Sequence, residues 1–174
     1  ADLAEIDALD DAALQAYLER GARAFAAIPA LGVPSVAVVH KAALGGGLEL
    51  AMHCDALLGR EPDAGEKPWM VGLPECGLCI CPGWGGTQML PARMDPAAAI
   101  VATANGTPWQ STAVPAGLFD QTLPAGSTVA HMVDAACAWI HAQHSHAGAL
   151  ARHPEPRRTL SPALASRVTS SATA

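Results

Sequence analysis

Residues 42–55 read AALGGGLELAMHCD, and this stretch decides the fold. Immediately before it, Ser35–Val39 is a short β-branched run without polar alternation, which predicts a strand buried on both faces. The triplet Gly45–Gly47 then predicts a tight turn that opens onto a buried helix, because apolar residues follow it at close spacing. A strand, a glycine turn and a helix start in this order are typical of an α/β unit.

Helices and strands also alternate on both sides of this stretch. Apolar residues at spacings of three and four predict a helix over residues 10–27, before the breakers that begin at Pro29. Further elements are predicted downstream: strands at 55–58 and 69–72, a polar loop at 59–68, and helices from about residue 85, at 96–104 and at 127–143. Strands that alternate with helices predict an α/β fold with a mainly parallel sheet.

A second informative stretch is GLPECGLCICPGWGGTQMLP, residues 72–91. It places Glu75 before a glycine-rich loop that permits close backbone approach. If Glu49 and Glu75 face one pocket, their mutual repulsion and burial separate their pKa values and give one acid and one base. The amide of Gly46, at a helix start, is then placed to donate to a developing oxyanion. Taken singly, each feature is more often structural: a turn, a helix-dipole partner or a solvated glutamate.

Taken together, the two stretches closely resemble, in order and distance, the signature of the enoyl-CoA hydratase branch of the crotonase superfamily. Residues 1–6, ADLAEI, look like the Gly-Ala-Asp-Leu motif of that family entered after its glycine, and residues 117–120, GLFD, look like its Gly-Leu-Val-Asp element. The resemblance covers about residues 1–140. It implies an α/β, crotonase-like (ββα spiral) core that is N-terminally truncated, because family members place several strands before the first motif, with C-terminal helices after it.

The resemblance also implies the site. The catalytic glutamates carry over to Glu49 and Glu75, and the two oxyanion amides to Gly46 and Ala1. Glu49 would activate the water that attacks the β-carbon, while Glu75 would deliver a proton to the α-carbon. The implied contacts to the acyl-CoA thioester substrate are Ala1, Leu3, Gly45, Gly47, Pro74, Gly83 and Trp84. Trp84 either lines the acyl pocket or packs against apolar neighbours.

Three functions follow from this resemblance. Both glutamates are present, which favours an enoyl-CoA hydratase, since the related double-bond isomerases typically rely on an acid at the position of Glu75 alone. The alternatives are such an isomerase and a catalytically silent fragment that acts by assembling with other subunits. No cofactor is expected beyond the coenzyme A of the substrate, and the family implies a homo-oligomer, a trimer or a dimer of trimers.

Three departures from the family bear on the site. If Ala1 is the terminus, its nitrogen is an amine instead of an amide, which predicts a weaker, pH-dependent oxyanion site. Lys41 stands where the family commonly has glycine, and it either faces the CoA phosphates or is solvated. The loop over residues 60–68 is longer than usual and is a candidate for reshaping the acyl pocket.

Composition excludes several classes of partner. A net charge of −6 with ten scattered Lys plus Arg argues against nucleic acid. The absence of a long apolar run and the acidic start of the chain argue against a membrane span and against export. Five cysteines in a chain of this size favour reduced thiols and a cytoplasmic location. We expect one catalytic domain over residues 1–150 and a mobile tail over residues 151–174.

No metal site is predicted. A structural zinc site typically needs four thiolate or imidazole ligands in two separated pairs. The three cysteines at 76, 79 and 81 form one cluster, so we interpret them as core residues. The histidines at 141, 144 and 146 stand near the end of a predicted helix, where imidazoles favour the helix dipole or solvent.

Overall fold

The computed structural model describes residues 2–145 of the chain. Its helices are α1 (Leu3–Asp7), α2 (Asp11–Ala30), α3 (Gly46–Met52), α4 (Gly86–Arg93), α5 (Pro96–Ala104) and α6 (Val129–Ser145), with a 3₁₀ turn at Glu75–Leu78. Aspartates cap the N-termini of three of them, and Asp2 does so at α1 through a bond from the amide of Ala4 at 2.9 Å. The Asp10 carboxylate accepts from the amide of Ala13 at 2.8 Å, and that of Asp95 accepts from Ala98 at 2.9 Å. Each bond satisfies an amide that has no partner within its own helix.

The strands form two small sheets. They are β1 (Val36–Val39), β2 (Ala43–Leu44), β3 (Ala56–Arg60), β4 (Met70–Gly72), β5 (Trp109–Gln110) and β6 (Gln121–Leu123). One sheet has the order β1-β3-β6 and is parallel throughout. The other has the order β2-β4-β5, with β2 parallel and β5 antiparallel to β4. The predicted α/β fold with mainly parallel pairing is therefore confirmed in the described residues.

Strand β3 is the central strand of the parallel sheet, and all five of its residues are buried. Leu57 packs into one apolar cluster with Leu48 of α3 and Leu90 of α4. The neighbouring Ala56 and Leu58 pack into a second cluster with Met132 of α6. Because successive side chains of a strand point to opposite faces, β3 joins the two halves of the core.

Strand β1 is only partly as predicted. Its position is correct, but only Val39 is buried, while Val36, Ala37 and Val38 are half-buried. The reason is its place at the edge of its sheet, where β3 covers one side alone. The strand predicted at 55–58 extends to Arg60, so the loop begins later than expected. The tail predicted at 151–174 lies outside the described residues.

Among residues 2–145, no helix is both long enough and apolar enough to cross a bilayer.

Candidate active site

Glu49 lies in the first turn of α3, and its side chain is buried, with 1% of the residue exposed. Its Oε1 atom accepts two hydrogen bonds from backbone amides, at 2.8 Å from Trp84 and at 2.9 Å from Gly86. Both donors belong to the glycine-rich loop that the sequence placed after the second carboxylate. These bonds fix the orientation of the carboxylate and leave Oε2 free for another partner.

Glu75 begins the 3₁₀ turn that follows Pro74, and it is also buried. Its Oε2 atom is enclosed and has no hydrogen-bond partner among the described residues. Burial raises the pKa of the Glu75 carboxyl; a bond to its own backbone amide opposes this effect, and the charge of nearby Glu49 adds to it. The two carboxyls therefore have different surroundings, and that of Glu75 favours the protonated form.

Glycines make room for both glutamates. Gly45 has φ +54°, and a Cβ added there would lie 2.7 Å from Oε1 of Glu75. A Cβ at Gly86 would lie 3.1 Å from Cγ and Oε1 of Glu49. Gly46 is the first residue of α3, so its amide N–H has no acceptor in a preceding turn of the helix.

One cavity of about 80 Å³ unites these groups. Five of the residues predicted for the site line it: Gly46, Glu49, Glu75, Gly83 and Trp84. Five others were not predicted: Ile6, Tyr17, Leu18, Ile80 and Cys81. The first three of these come from α1 and α2; the sequence predicts the helix α2, but not α1 and not the surface that α2 packs against. The volume is several times the roughly 10–15 Å³ that a cavity needs to hold one water.

Three of the other predicted residues are chain neighbours of residues that line the cavity. Gly45 and Gly47 flank Gly46 in the turn, and Pro74 precedes Glu75. Leu3 is half-exposed on α1, and it is Ile6 of the same helix that reaches the cavity. Ala1 lies outside the described residues.

The interpretation of the three clustered cysteines as core residues is wrong. Cys79 and Cys81 are exposed, and Cys76 is half-buried. The physical reason is that Cys79 adopts a left-handed conformation with φ 60° at the end of the 3₁₀ turn, so the segment folds back at the surface. Within residues 2–145, no group of three or more His, Cys, Asp or Glu side chains is placed to hold a metal ion. His146 lies outside the described residues.

Lys41 and the loop after β3 form an ionic cluster away from the cavity. Lys41 pairs with Glu66, and the buried Arg60 guanidinium contacts Asp63 at 2.9 Å and Glu66 at 2.8 Å. No residue from 60 to 68 lines the cavity around the two glutamates. The long loop is thus tied back onto β3.

Sequence comparison agrees with this geometry. The family model described as enoyl-CoA hydratase/isomerase matches residues 1–171. The chain belongs to the enoyl-CoA hydratase/isomerase family. Curated members include a probable enoyl-CoA hydratase of Bacillus subtilis, 41% identical over 62% of this chain and 40% of that protein. Another is the fatty acid oxidation complex subunit alpha of Shewanella amazonensis, 37% identical over 71% of this chain and 17% of that protein.

Solved structures of enoyl-CoA hydratases share the fold. That of Thermoplasma volcanium superposes with a TM-score of 0.67 at 18% identity, covering 99% of this chain and 67% of that one. The Geobacillus kaustophilus structure gives 0.66 at 23% identity, covering 80% and 52%. These matches confirm the crotonase-like fold predicted from the two motifs. The chain spans well under half the length of the two curated family members named above.

Proposed function

We propose that the chain carries the acid–base centre of an enoyl-CoA hydratase, which adds water across the α,β double bond of an enoyl-CoA thioester. The observation that supports this proposal is the meeting of Glu49 and Glu75 in one cavity, in unlike surroundings. Hydration needs a base that takes a proton from water and an acid that gives a proton to carbon, both at one site. An isomerase of this family needs only the acid.

In the proposed reaction, Glu49 accepts a proton from a water molecule as its oxygen bonds to the β-carbon. Its anchored Oε1 leaves Oε2 to face that water. Glu75 gives its proton to the α-carbon, and burial suits it to hold that proton beforehand. The product carries a hydroxyl at the β-carbon and hydrogen at the α-carbon. Exchange with solvent then restores the proton on Glu75 and removes the one on Glu49.

Negative charge develops on the thioester oxygen during the attack. The amide of Gly46 is proposed as one donor to that oxygen, because it opens α3 beside Glu49. The amide of Ala1 is proposed as the second donor on the family resemblance. The remaining substrate contacts are proposed at Leu3, Gly45, Gly47, Pro74, Gly83 and Trp84.

The wider setting is proposed from the family. The substrate would come from fatty-acid or related acyl-CoA degradation, and no cofactor is required beyond its coenzyme A. A cytoplasmic homo-oligomer, a trimer or a dimer of trimers, is the expected assembly.

Loss of the ultraviolet absorbance of a conjugated enoyl thioester measures the hydration directly. We expect Glu49→Gln and Glu75→Gln each to lower kcat by roughly 10²–10⁴-fold, the usual contribution of a general acid or base. Glu61→Gln, which neutralises an exposed glutamate outside the cavity, serves as the matched control and should retain full activity. Unchanged hydration by Glu49→Gln would contradict the proposal.

The two alternatives have different signatures. An isomerase would convert a β,γ-unsaturated thioester into the conjugated one, so the absorbance would rise. Without hydration, that absorbance would not fall again. A folded protein that converts neither substrate would identify the silent assembly subunit.

A further inference from the structure

The indole of Trp84 fills the space between α2 and the catalytic turn. A Cβ added to Gly21 of α2 would lie 2.2 Å from its Nε1 atom. A Cβ added to Gly46 would lie 2.8 Å from its Cζ3 atom. The ring is therefore in direct contact with the backbone at Gly21 and at Gly46. A side chain at either position would collide with it.

The ring is also held in place. Its Nε1 donates to the carbonyl oxygen of Leu18 at 3.2 Å. Tyr17 and Phe25, both on α2, pack against it with ring centroids 5.9 Å and 5.1 Å away. Aromatic pairs at such distances add to the stability of a packed ring. Rotation of the indole out of its place would break all of these contacts.

Two spaces meet at this ring. The first is the cavity of about 80 Å³ that contains Glu49 and Glu75. The second, of about 240 Å³, is an open surface groove lined by Glu5, Arg20, Gly21 and Ala24 together with Tyr17 and Trp84. Tyr17 and Trp84 are the two residues common to both linings. They stand between the small space with the carboxylates and the open groove along α2.

We propose that Trp84 determines substrate specificity by closing the acyl pocket, so that the site accepts short enoyl chains and rejects long ones. This inference rests on the proposed hydratase function. The space beside the carboxylates has a volume of about 80 Å³, and the indole forms its wall on the side of α2. A longer acyl chain that extends toward α2 would have to occupy the position of the indole before it reached the groove.

The specificity and the chemistry are separable at this residue. The backbone amide of Trp84 holds Glu49, whereas the side chain forms the wall. A substitution of the side chain keeps the amide donor to Glu49, while it changes the wall and the contacts of the indole with α2. Trp84→Ala is expected to join the cavity to the groove, and Trp84→Phe to enlarge the cavity partially.

The test compares kcat/KM for crotonyl-CoA, octenoyl-CoA and decenoyl-CoA in the protein and its variants. We expect the unmodified protein to favour crotonyl-CoA over octenoyl-CoA by at least about tenfold. In Trp84→Ala this preference should reverse, with a gain of roughly fourfold for each methylene newly buried. Trp84→Phe should give an intermediate profile. Trp109→Ala removes a half-buried tryptophan that lines neither the cavity nor the groove, and it should keep the original chain-length profile.

A second measurement does not depend on turnover. Calorimetric binding of butyryl-CoA and octanoyl-CoA should show the same preference and the same reversal in Trp84→Ala. If no enoyl thioester is hydrated but binding reverses, the hydratase function fails and the role of Trp84 stands. Three results would each overturn the inference. They are equal use or equal binding of short and long chains by the unmodified protein, an unchanged chain-length profile in folded Trp84→Ala and Trp84→Phe, and the absence of binding to any acyl-CoA.

Discussion

Gly45 occupies a backbone conformation, φ 54° and ψ −130°, that residues with a Cβ rarely adopt. Its missing side chain also leaves the space that Oε1 of Glu75 fills. Gly47, two residues further on, has a Cβ direction that meets nothing within 4 Å. The two glycines thus form a natural pair for comparison, since one is required by geometry and the other stands in an ordinary helical turn.

We expect Gly45→Ala to lower the free energy of unfolding by about 1–3 kcal/mol, from backbone strain and from contact with Glu75. Gly47→Ala should instead raise it by about 0.5–1 kcal/mol, because alanine loses less entropy than glycine in a helix. Urea unfolding measures both values. Equal effects of the two substitutions would show that the conformation at Gly45 is not as described.

The raised pKa of Glu75 has a consequence for stability. Below the usual glutamate pKa of about 4.3, both the folded and the unfolded states hold the proton, so the contribution of this carboxyl is fully present. As pH rises through the higher pKa of the folded state, the unfolded state releases its proton first and the contribution is lost.

Glutamine cannot ionise, so Glu75→Gln should escape this loss. We expect the stability of the unmodified protein, relative to Glu75→Gln, to decrease as pH is raised from acid to neutral. Denaturant unfolding at a series of pH values measures the difference, and Glu61→Gln reports the effect of removing an exposed charge. A relative stability that increases with pH would contradict the raised pKa.

At the scale of elements, Asp120 joins three segments. Its Oδ2 atom accepts from the Leu57 amide of β3 at 2.7 Å and from the Arg93 guanidinium at the end of α4 at 2.9 Å. Its own amide, just before β6, donates to the carbonyl of Leu57 at 2.8 Å. The Arg93 side chain is only 4% exposed. The family motif predicted at residues 117–120 therefore has a structural role in this chain.

We expect Asp120→Ala to destabilise the fold by about 3 kcal/mol, because it leaves the buried Arg93 cation without this partner. Asp134→Ala, at an exposed position of α6, is the control and should change stability by less than about 0.5 kcal/mol. Thermal and urea unfolding measure both variants. A small effect of Asp120→Ala would mean that another group compensates Arg93.

Element length explains which parts of the fold were predictable from sequence. The helices over 11–30, 96–104 and 129–145 carry enough turns for their periodicity to appear, and β1, β3 and β4 are apolar runs. The strands β2 and β5 have two residues each, too few for any pattern, and β6 is three residues of mixed polarity. Their pairing depends on long-range contacts, such as that of β6 with β3, which one sequence does not reveal.

The same limit applies to the site. Its polar groups, Glu49 and Glu75, were predictable because glycines and a proline mark the turns beside them. Its apolar wall was not, since Ile6, Tyr17 and Leu18 reach the cavity only through the way α1 and α2 pack. The sequence indicates Trp84 as a candidate site residue, but its contact with Gly21 is visible only in the folded chain.

At the scale of the whole molecule, the five thiols differ in accessibility. Cys79, Cys81 and Cys137 are exposed, while Cys54 and Cys76 are half-buried. Burial is the main factor that raises the pKa of the Cys54 and Cys76 thiols. A raised pKa lowers the fraction of the reactive thiolate.

We therefore expect native alkylation to modify Cys79, Cys81 and Cys137 first, and Cys54 and Cys76 later. Peptide mass spectrometry after timed exposure to iodoacetamide gives the order, and the unfolded protein, in which all five should react alike, is the control. Early labelling of Cys54 would contradict the described packing.

The hydrogen bonds of Glu49 make the two halves of the site depend on each other. The proposed base is held by amides from the loop after the proposed acid, and the acid rests in the space left by Gly45, just before the base. Residues 45–49 and residues 75–86 thus hold each other in place. A distortion of either segment should disable both groups together, so damage to this site is expected to be all-or-none and strongly non-additive.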